Sequence, residues 1–165
     1  MDVRIRTIRG DEWRLWRSLR LRAVEESPTS FRGSLAEESA EADERWIELI
    51  SKTADNPNGL LLVAEADSDP VGMLFGRIDD SSEYLDVGAM WVDPDIRRKG
   101  VGRGLIDAAL DWARAAGASQ AELWVTIGND AAERLFEKSG FAVTGDTEPL
   151  RDGSDLAVAK MSAEI

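Results

Sequence analysis

The chain contains no cysteine. That absence excludes a disulfide framework, a thiolate metal site and a cysteine nucleophile. Histidine is missing as well, which removes the usual general base near neutral pH and the commonest metal ligand. Acid–base chemistry is left to carboxylates, tyrosine, lysine or water, and no metal site is expected. Tyr84 is the single tyrosine. No apolar run is long enough to span a bilayer, and Met1-Asp2-Val3-Arg4 opens into an alternating pattern without a signal-like stretch. A cytoplasmic location is the expectation. Positive charge is scarce too: 20 Lys and Arg stand against 32 Asp and Glu, a net charge of −12. Nucleic acid and anionic membranes call for a basic face, so neither is an expected partner. An amine substrate suits the overall field better, although acidic surfaces serve solubility first.

What is present describes an ordinary globular chain. Its 165 residues, 43% hydrophobic and 32% charged, fit one domain over residues 1–165 that can bury a core without staples. Val3–Arg9 alternates as a half-buried strand. Asp11 is placed to cap a helix carrying Trp13, Trp16, Leu19 and Ala23, which ends before Ser27-Pro28. Ser34-Leu35-Ala36-Glu37 reads as a capping box. The helix behind it would bury Ala36, Ala40, Trp46, Ile47 and Ile50. Leu60–Ala66 is a continuous apolar run, as in a strand buried on both faces, and Val71–Ile78 follows it as a hairpin partner. Further strands are expected at Tyr84–Val92, Ala121–Ile127, Phe141–Val143 and Leu156–Met161. Helices are expected from Gly100 to Ala116 and from an Asn129 cap to Gly140. This is an α/β (α+β) pattern: a mixed, mostly antiparallel sheet of about seven strands flanked by four helices. The strand–helix–strand unit from Tyr84 to Ile127 requires a parallel pair at its centre.

The informative stretch is Val92-Asp93-Pro94-Asp95-Ile96-Arg97-Arg98-Lys99-Gly100-Val101-Gly102-Arg103-Gly104-Leu105, between a buried strand and a helix start. Glycines at 100, 102 and 104 remove Cβ atoms and let backbone N–H groups close on a ligand. Those N–H groups lack helical partners, and the helix dipole favours an anion there. Arg97, Arg98, Lys99 and Arg103 place four positive charges within seven residues. The preceding window, Leu60–Ile96, holds nine acids against one base, Arg77. A basic island in so acidic a chain points to a local anion, and pyrophosphate is the natural candidate. An NTPase phosphate loop needs Ser or Thr after a Gly-Lys pair, and a dinucleotide fingerprint needs glycine three positions after Gly102. Leu105 fails both.

Arg97-x-x-Gly100-x-Gly102, preceded by Val92-Asp93-Pro94, resembles the CoA-pyrophosphate motif of the GNAT N-acetyltransferase superfamily. Leu123–Phe141, with Asn129, Ala131, Ala132 and the closing Lys138-Ser139-Gly140-Phe141, resembles that family's following strand–helix segment. The element order agrees from end to end. The resemblance implies acetyl-CoA as cosubstrate. Backbone amides from Arg98 through Lys99, Gly100, Val101 and Gly102 to Arg103 would cradle its pyrophosphate, with Arg97, Arg103 and Gly104 close by. Met90, Trp91 and Val92 would pair with the pantetheine arm as a pseudo-strand, and an N–H near Met90 would polarise the thioester carbonyl. Asn129 would contact the pantetheine, or serve simply as a helix cap. Phe136 stands where the family often has a tyrosine that protonates the CoA thiolate, and phenylalanine cannot.

The implied reaction is direct attack of an amine on the thioester. A lysine-like amine titrates at about 10.4, so a base is needed. Asp86 is the leading candidate, because it interrupts an otherwise apolar strand and a buried Asp is costly without purpose; the alternative is a residue at the strand end that stays in solvent, with Tyr84 opening the strand. Glu83 and Glu122 are alternatives. The acceptor site would involve Glu25–Ser34, Asp79–Glu83 and Asp146–Ser154. Glu25–Glu48 carries eight acids, which would form an acidic wall or simply a solvated helix face. A homodimer is left open. Three readings follow: an active acetyltransferase on an amine, a CoA-binding regulatory module without turnover, or an unrelated anion-binding α/β domain.

Overall fold

The computed structural model describes residues 1–165. Where apolar residues alternate or run together, strands form: β1 (Val3–Thr7), β2 (Gly59–Ala66), β3 (Asp69–Ile78), β4 (Tyr84–Val92), β5 (Gln120–Thr126), β6 (Ala142–Pro149) and β7 (Ala157–Glu164). They make one seven-stranded sheet in the order β1-β2-β3-β4-β5-β7-β6. Every neighbouring pair is antiparallel except β4 and β5, which are parallel at the centre. The mixed sheet expected from the sequence is therefore present. β2 is buried along Leu60–Ala64, as its unbroken apolar run requires.

Five helices cover the sheet: α1 (Trp13–Glu26), α2 (Leu35–Ser39), α3 (Asp43–Asp55), α4 (Val101–Ala115) and α5 (Asp130–Lys138). The expected single helix over Ala36–Ile50 is two. Ala42 adopts an extended conformation, ψ 153°, and separates α2 from α3. Arg20 on α1 holds Glu38 on α2 at 2.7 Å, while α3 turns separately to bury Trp46 and Ile50. Ala36, Ala40 and Ile47 are exposed, contrary to the expected apolar face. The Ser34 cap is present, its hydroxyl accepting the Glu37 N–H at 3.2 Å. Asp11 caps nothing; the chain enters α1 through a short 3-10 turn in which Glu12 accepts the Arg9 N–H at 2.8 Å. β6 runs farther than expected, with a register shift between Val143 and Thr147 that its polar residues conceal.

The core has two layers. One lies under α4 and α5 and includes Leu74, Leu85, Leu105, Ile106 and Phe136. The other lies under α1 and α3 and includes Leu19, Ile50, Met73 and Trp91. The central helix α4 is capped at its start by Gly100, whose φ of 84° is left-handed, and is followed by Gly117 at φ 93°. Its buried stripe (Val101, Leu105, Ile106, Ala109, Leu110, Ala113) fixes where its N-terminus stands relative to the end of β4. Leu105 is fully buried. Leu105→Ala is expected to cost about 2–5 kcal/mol, the range for deleting a buried leucine side chain. Urea denaturation checks this; a loss below about 1 kcal/mol would mean that α4 is not anchored as described.

Candidate active site

β4 and β5 share a ladder only from Tyr84↔Gln120 to Val87↔Leu123. Beyond it they diverge. On its other edge β4 carries a bulge: Gly88 pairs with Phe75 and Trp91 with Met73, so Ala89 and Met90 together oppose Leu74. Ala89 has a φ of 49°. Such an insertion bends the strand and increases its twist. Residues from both strands then line a cleft of about 1250 Å³. On the β4 side it is bounded by Val87–Val92, and on the β5 side by Leu123–Asn129. Glu26–Phe31, the segment after α1, lines it as well.

The turn between β4 and α4 contributes its backbone. The N–H groups of residues 98–103 donate to no backbone carbonyl, and the ladder of α4 starts with the Gly104 N–H on Gly100 O at 3.0 Å. Arg98 and Gly100 take left-handed φ values of 64° and 84°. Alternating backbone hands of this kind make successive N–H groups converge into an anion-binding concavity. Gly102 is closely approached: a Cβ there would lie 3.0 Å from the Leu135 side chain and 3.2 Å from that of Met90, two cleft residues. Val101 is buried in the core, and a Cβ on Gly104 would meet Ile5 at 2.8 Å, so their side-chain positions face the sheet. Lys99 is exposed and outside the cleft lining.

The arginines of the turn divide. Arg97 is engaged within the protein: its Nε donates to Val92 O at 2.9 Å and its Nη2 to Glu26 Oε2 at 2.7 Å. Arg103 donates to Asp107 Oδ1 and Lys138 O, each at 2.9 Å. Arg98 makes no ion pair, and neither do Arg134 and Lys138 of α5, which also line the cleft. The sequence reading passed over that last pair. Its spacing of four residues, which sets both on one helix face, was the available signal.

Glu26 was one of eight acids in an undifferentiated wall, and it is the one of them that lines the cleft. Its Oε2 accepts from Trp91 Nε1 at 2.9 Å, from Arg97 Nη2 and from the Ser27 hydroxyl. Burial pushes this carboxyl up, but the three hydrogen bonds outweigh it and hold it below the usual carboxylate range. Opposite, Thr126 donates to Thr29 O at 2.7 Å and Arg151 to Phe31 O at 2.9 Å. The segment is thus tied to both diverging strands.

Asn129 caps α5, its Oδ1 accepting the Ala132 N–H at 3.3 Å, and it lines the cleft. Phe136 lines the cleft with its ring buried, edge-on to Phe141 at 6.1 Å. Asp86 stands just outside the lining, on the strand face it shares with Gly88 by alternation. Burial pushes its carboxyl up, and neighbouring Glu122 and Asp79 add to this while Lys160 opposes it, bringing it to about 6. No group of three or more acidic side chains is gathered to hold a metal ion, and no helix is long and apolar enough to cross a membrane.

Comparison with known proteins adds sequence and fold relatives. The family model described as the acetyltransferase (GNAT) family matches residues 17–141. A mycothiol acetyltransferase from Beutenbergia cavernae is 30% identical over 142 residues, covering 84% of this chain and 44% of that protein. The chain spans less than half the length of the curated relatives it matches. Among solved structures, a GNAT-family acetyltransferase from Streptococcus pneumoniae superposes with a TM-score of 0.80 at 21% identity, over 99% of this chain and 100% of that one. A spermidine N-acetyltransferase from Vibrio cholerae, solved with CoA and spermine, gives 0.79 at 20% identity, over 98% and 95%.

The raised Asp86 carboxyl has a consequence for stability. Its folded value, about 6, lies above the ordinary 3.8, so the folded state holds the proton more tightly. The resulting stabilisation is full below about pH 3.8 and is lost as pH rises through about 6. Asp86→Asn, neutral throughout, is expected to exceed wild type at pH 7.5 by on the order of 1 kcal/mol after allowance for solvent screening. Near pH 4 the gain should vanish. Chemical denaturation at the two pH values checks both sign and window.

Proposed function

The chain belongs to the GNAT acetyltransferase family, and from that premise we propose that it transfers the acetyl group of acetyl-CoA to a primary amine by direct attack in a ternary complex. The observation that carries the reading is the junction of the diverging β4–β5 pair with the unpartnered N–H groups of residues 98–103. It offers an extended ligand an anion cradle at one end and an open strand edge beyond it. The cleft's lining suits acetyl-CoA in three respects: the Gly102 approach, the unpaired cations Arg98, Arg134 and Lys138, and the apolar stretch Met90–Val92.

Acetyl-CoA supplies an activated thioester when bound. The residues of this chain supply position and proton transfer. Amides of residues 98–103 hold pyrophosphate, helped by the positive end of α4. Arg97, already engaged by Glu26, braces the turn rather than meeting phosphate as a free cation. The Met90–Val92 edge orients the thioester arm, and the bulged backbone at Met90 offers an N–H to the carbonyl oxygen. Asp86 takes the proton that the acceptor amine must lose. Phe136 keeps the sulfur side of the cleft apolar, and the thiol, with an ordinary pKa of about 8.5, draws its proton from solvent. The acceptor enters beside Glu26–Phe31. The acidic balance of the chain suits a cationic amine, and spermidine is the amine named for one fold relative. A cytoplasmic site of action accords with acetyl-CoA as donor.

Phe136 favours one second reading, a CoA-binding regulatory module with little turnover. Two variants separate the cases. Gly102→Glu forces a charged side chain against Leu135 and Met90 and sets an anion beside the cradle, so acetyl-CoA affinity should fall by at least about 100-fold, some 3 kcal/mol. Asp86→Ala should leave that affinity within twofold while lowering turnover by about 100-fold or more, the usual contribution of a general base. Calorimetric titration with acetyl-CoA, followed by thiol release against a panel of amines, measures both. Binding without release for any amine would favour the module, and absence of binding would refute both readings.

A further inference from the structure

We propose that Glu122 and Lys160 are positioning residues that set the basicity of Asp86, so that the proton acceptor is a carboxyl pair with its own counter-charge rather than a lone carboxylate. The inference rests on the acetyl-transfer reading above, in which Asp86 accepts the proton of the amine. It adds the residues that make such a proton transfer effective.

The geometry comes from the last stretch of ladder before the strands part. Asp86 and Glu122 are Cα partners in the parallel β4–β5 pairing, one step before its final pair, Val87↔Leu123. Partners in register on adjacent strands project to the same face at about 4.8 Å spacing. Both residues are half-buried. Two carboxylates so placed resist ionising together. Lys160 on β7 removes the symmetry: its Nζ lies 3.3 Å from Glu122 Oε2, with both side chains 26% exposed. The same ammonium stands 5.4 Å from the ring of Trp124, two residues along β5 on the same face. Lys160 is therefore held at Glu122, and no cation forms an ion pair with Asp86.

The other charged groups around Asp86 do not supply one. Arg77, its Cα partner on β3, is 58% exposed and reaches toward Asp80 at 4.0 Å. Asp79, in the loop after β3, adds like charge. On its own strand Asp86 has Tyr84 two residues before it and Gly88 two residues after. Lys160 thus gives Glu122 a counter-charge, while Asp86 meets like charge with no cation paired to it. Burial, Glu122 and Asp79 all push the Asp86 carboxyl upward, yet it is ionised at neutral pH. A base with its pKa closer to the working pH is a stronger proton acceptor than an ordinary carboxylate. Its route to the cleft is short. Gly88, the next residue on the same face, lines the cleft and carries no side chain, and a Cβ there would meet only Phe75, at 3.7 Å.

The proton to be moved goes from the acceptor ammonium to an Asp86 oxygen, leaving the neutral amine. Removing Glu122 and removing Lys160 should therefore act in opposite directions. Carboxyl carbon NMR titration of wild type, Glu122→Gln and Lys160→Met, with Asp86→Asn for assignment, reads this without an acceptor. In Glu122→Gln the Asp86 titration should fall by about one pH unit or more, and in Lys160→Met the upper titration of the pair should rise. The acid limb of kcat/KM for acetyl transfer should move the same way in each variant, with acetyl-CoA affinity within twofold of wild type. Shifts in the same direction, or no shift in either variant, would overturn the tuning role even if Asp86→Asn is slow. An Asp86→Asn variant with the wild-type rate would overturn the base assignment and the proposal with it. If Glu122→Gln fails to fold, Lys160→Met alone still decides, since an unmoved or lowered upper titration contradicts the inference.

Discussion

The architecture depends on one constraint: two parallel strands that pair for four residues and then part. The ladder of β4 and β5 ends at Val87 and Leu123, and the bulge at Ala89–Met90 bends β4 away. A sheet that stayed closed there would have no room for a ligand between its central strands. Because helices follow both strands, their N-termini come to the same end of the opening. This is the general advantage of a parallel pair, whose loops meet at the carboxyl ends of the strands.

The parting has a cost, since strand edges and a loop near the surface lose partners that a continued sheet would supply. The segment after α1 offsets it. Glu26 gathers Trp91, Arg97 and Ser27 on one oxygen, while Thr126 and Arg151 hold the far side through Thr29 O and Phe31 O. Polar contacts of this kind fix position more than they add stability. Their effect is to hold the turn, the end of β4 and the segment after α1 in one relation, so that the cleft has a formed surface.

Charge is distributed accordingly. A chain of net charge −12 places three cations that form no ion pair, Arg98, Arg134 and Lys138, along the cleft. One step before the β4–β5 pairing ends, Asp86 and Glu122 sit side by side with Lys160 on Glu122. One region suits an anion and the other a proton leaving a cation. Separating them along one strand lets each keep its own local field, because a half-buried pair is screened less than an exposed one.

Much of this was legible before the fold was known. Strand periods, the glycine–arginine turn, the Asn129 cap and the parallel β4–β5 unit are local or nearly local in sequence, and local sterics and hydrogen bonding decide them. Composition alone removed thiol and imidazole chemistry. The division of the Ala36–Ile50 segment into α2 and α3 was not legible, because both halves keep helical propensity and the break comes from packing against α1. Nor was the engagement of Arg97 by Glu26, whose 71-residue separation leaves no periodic trace. The pairing of Asp86 with Glu122 and Lys160 likewise required strand order and register. The sequence by itself determined most of the elements and the turn that gathers glycines and cations, since those follow from neighbouring residues. Only the tertiary structure decided which of many similar charges meet, because that depends on contacts between elements distant along the chain.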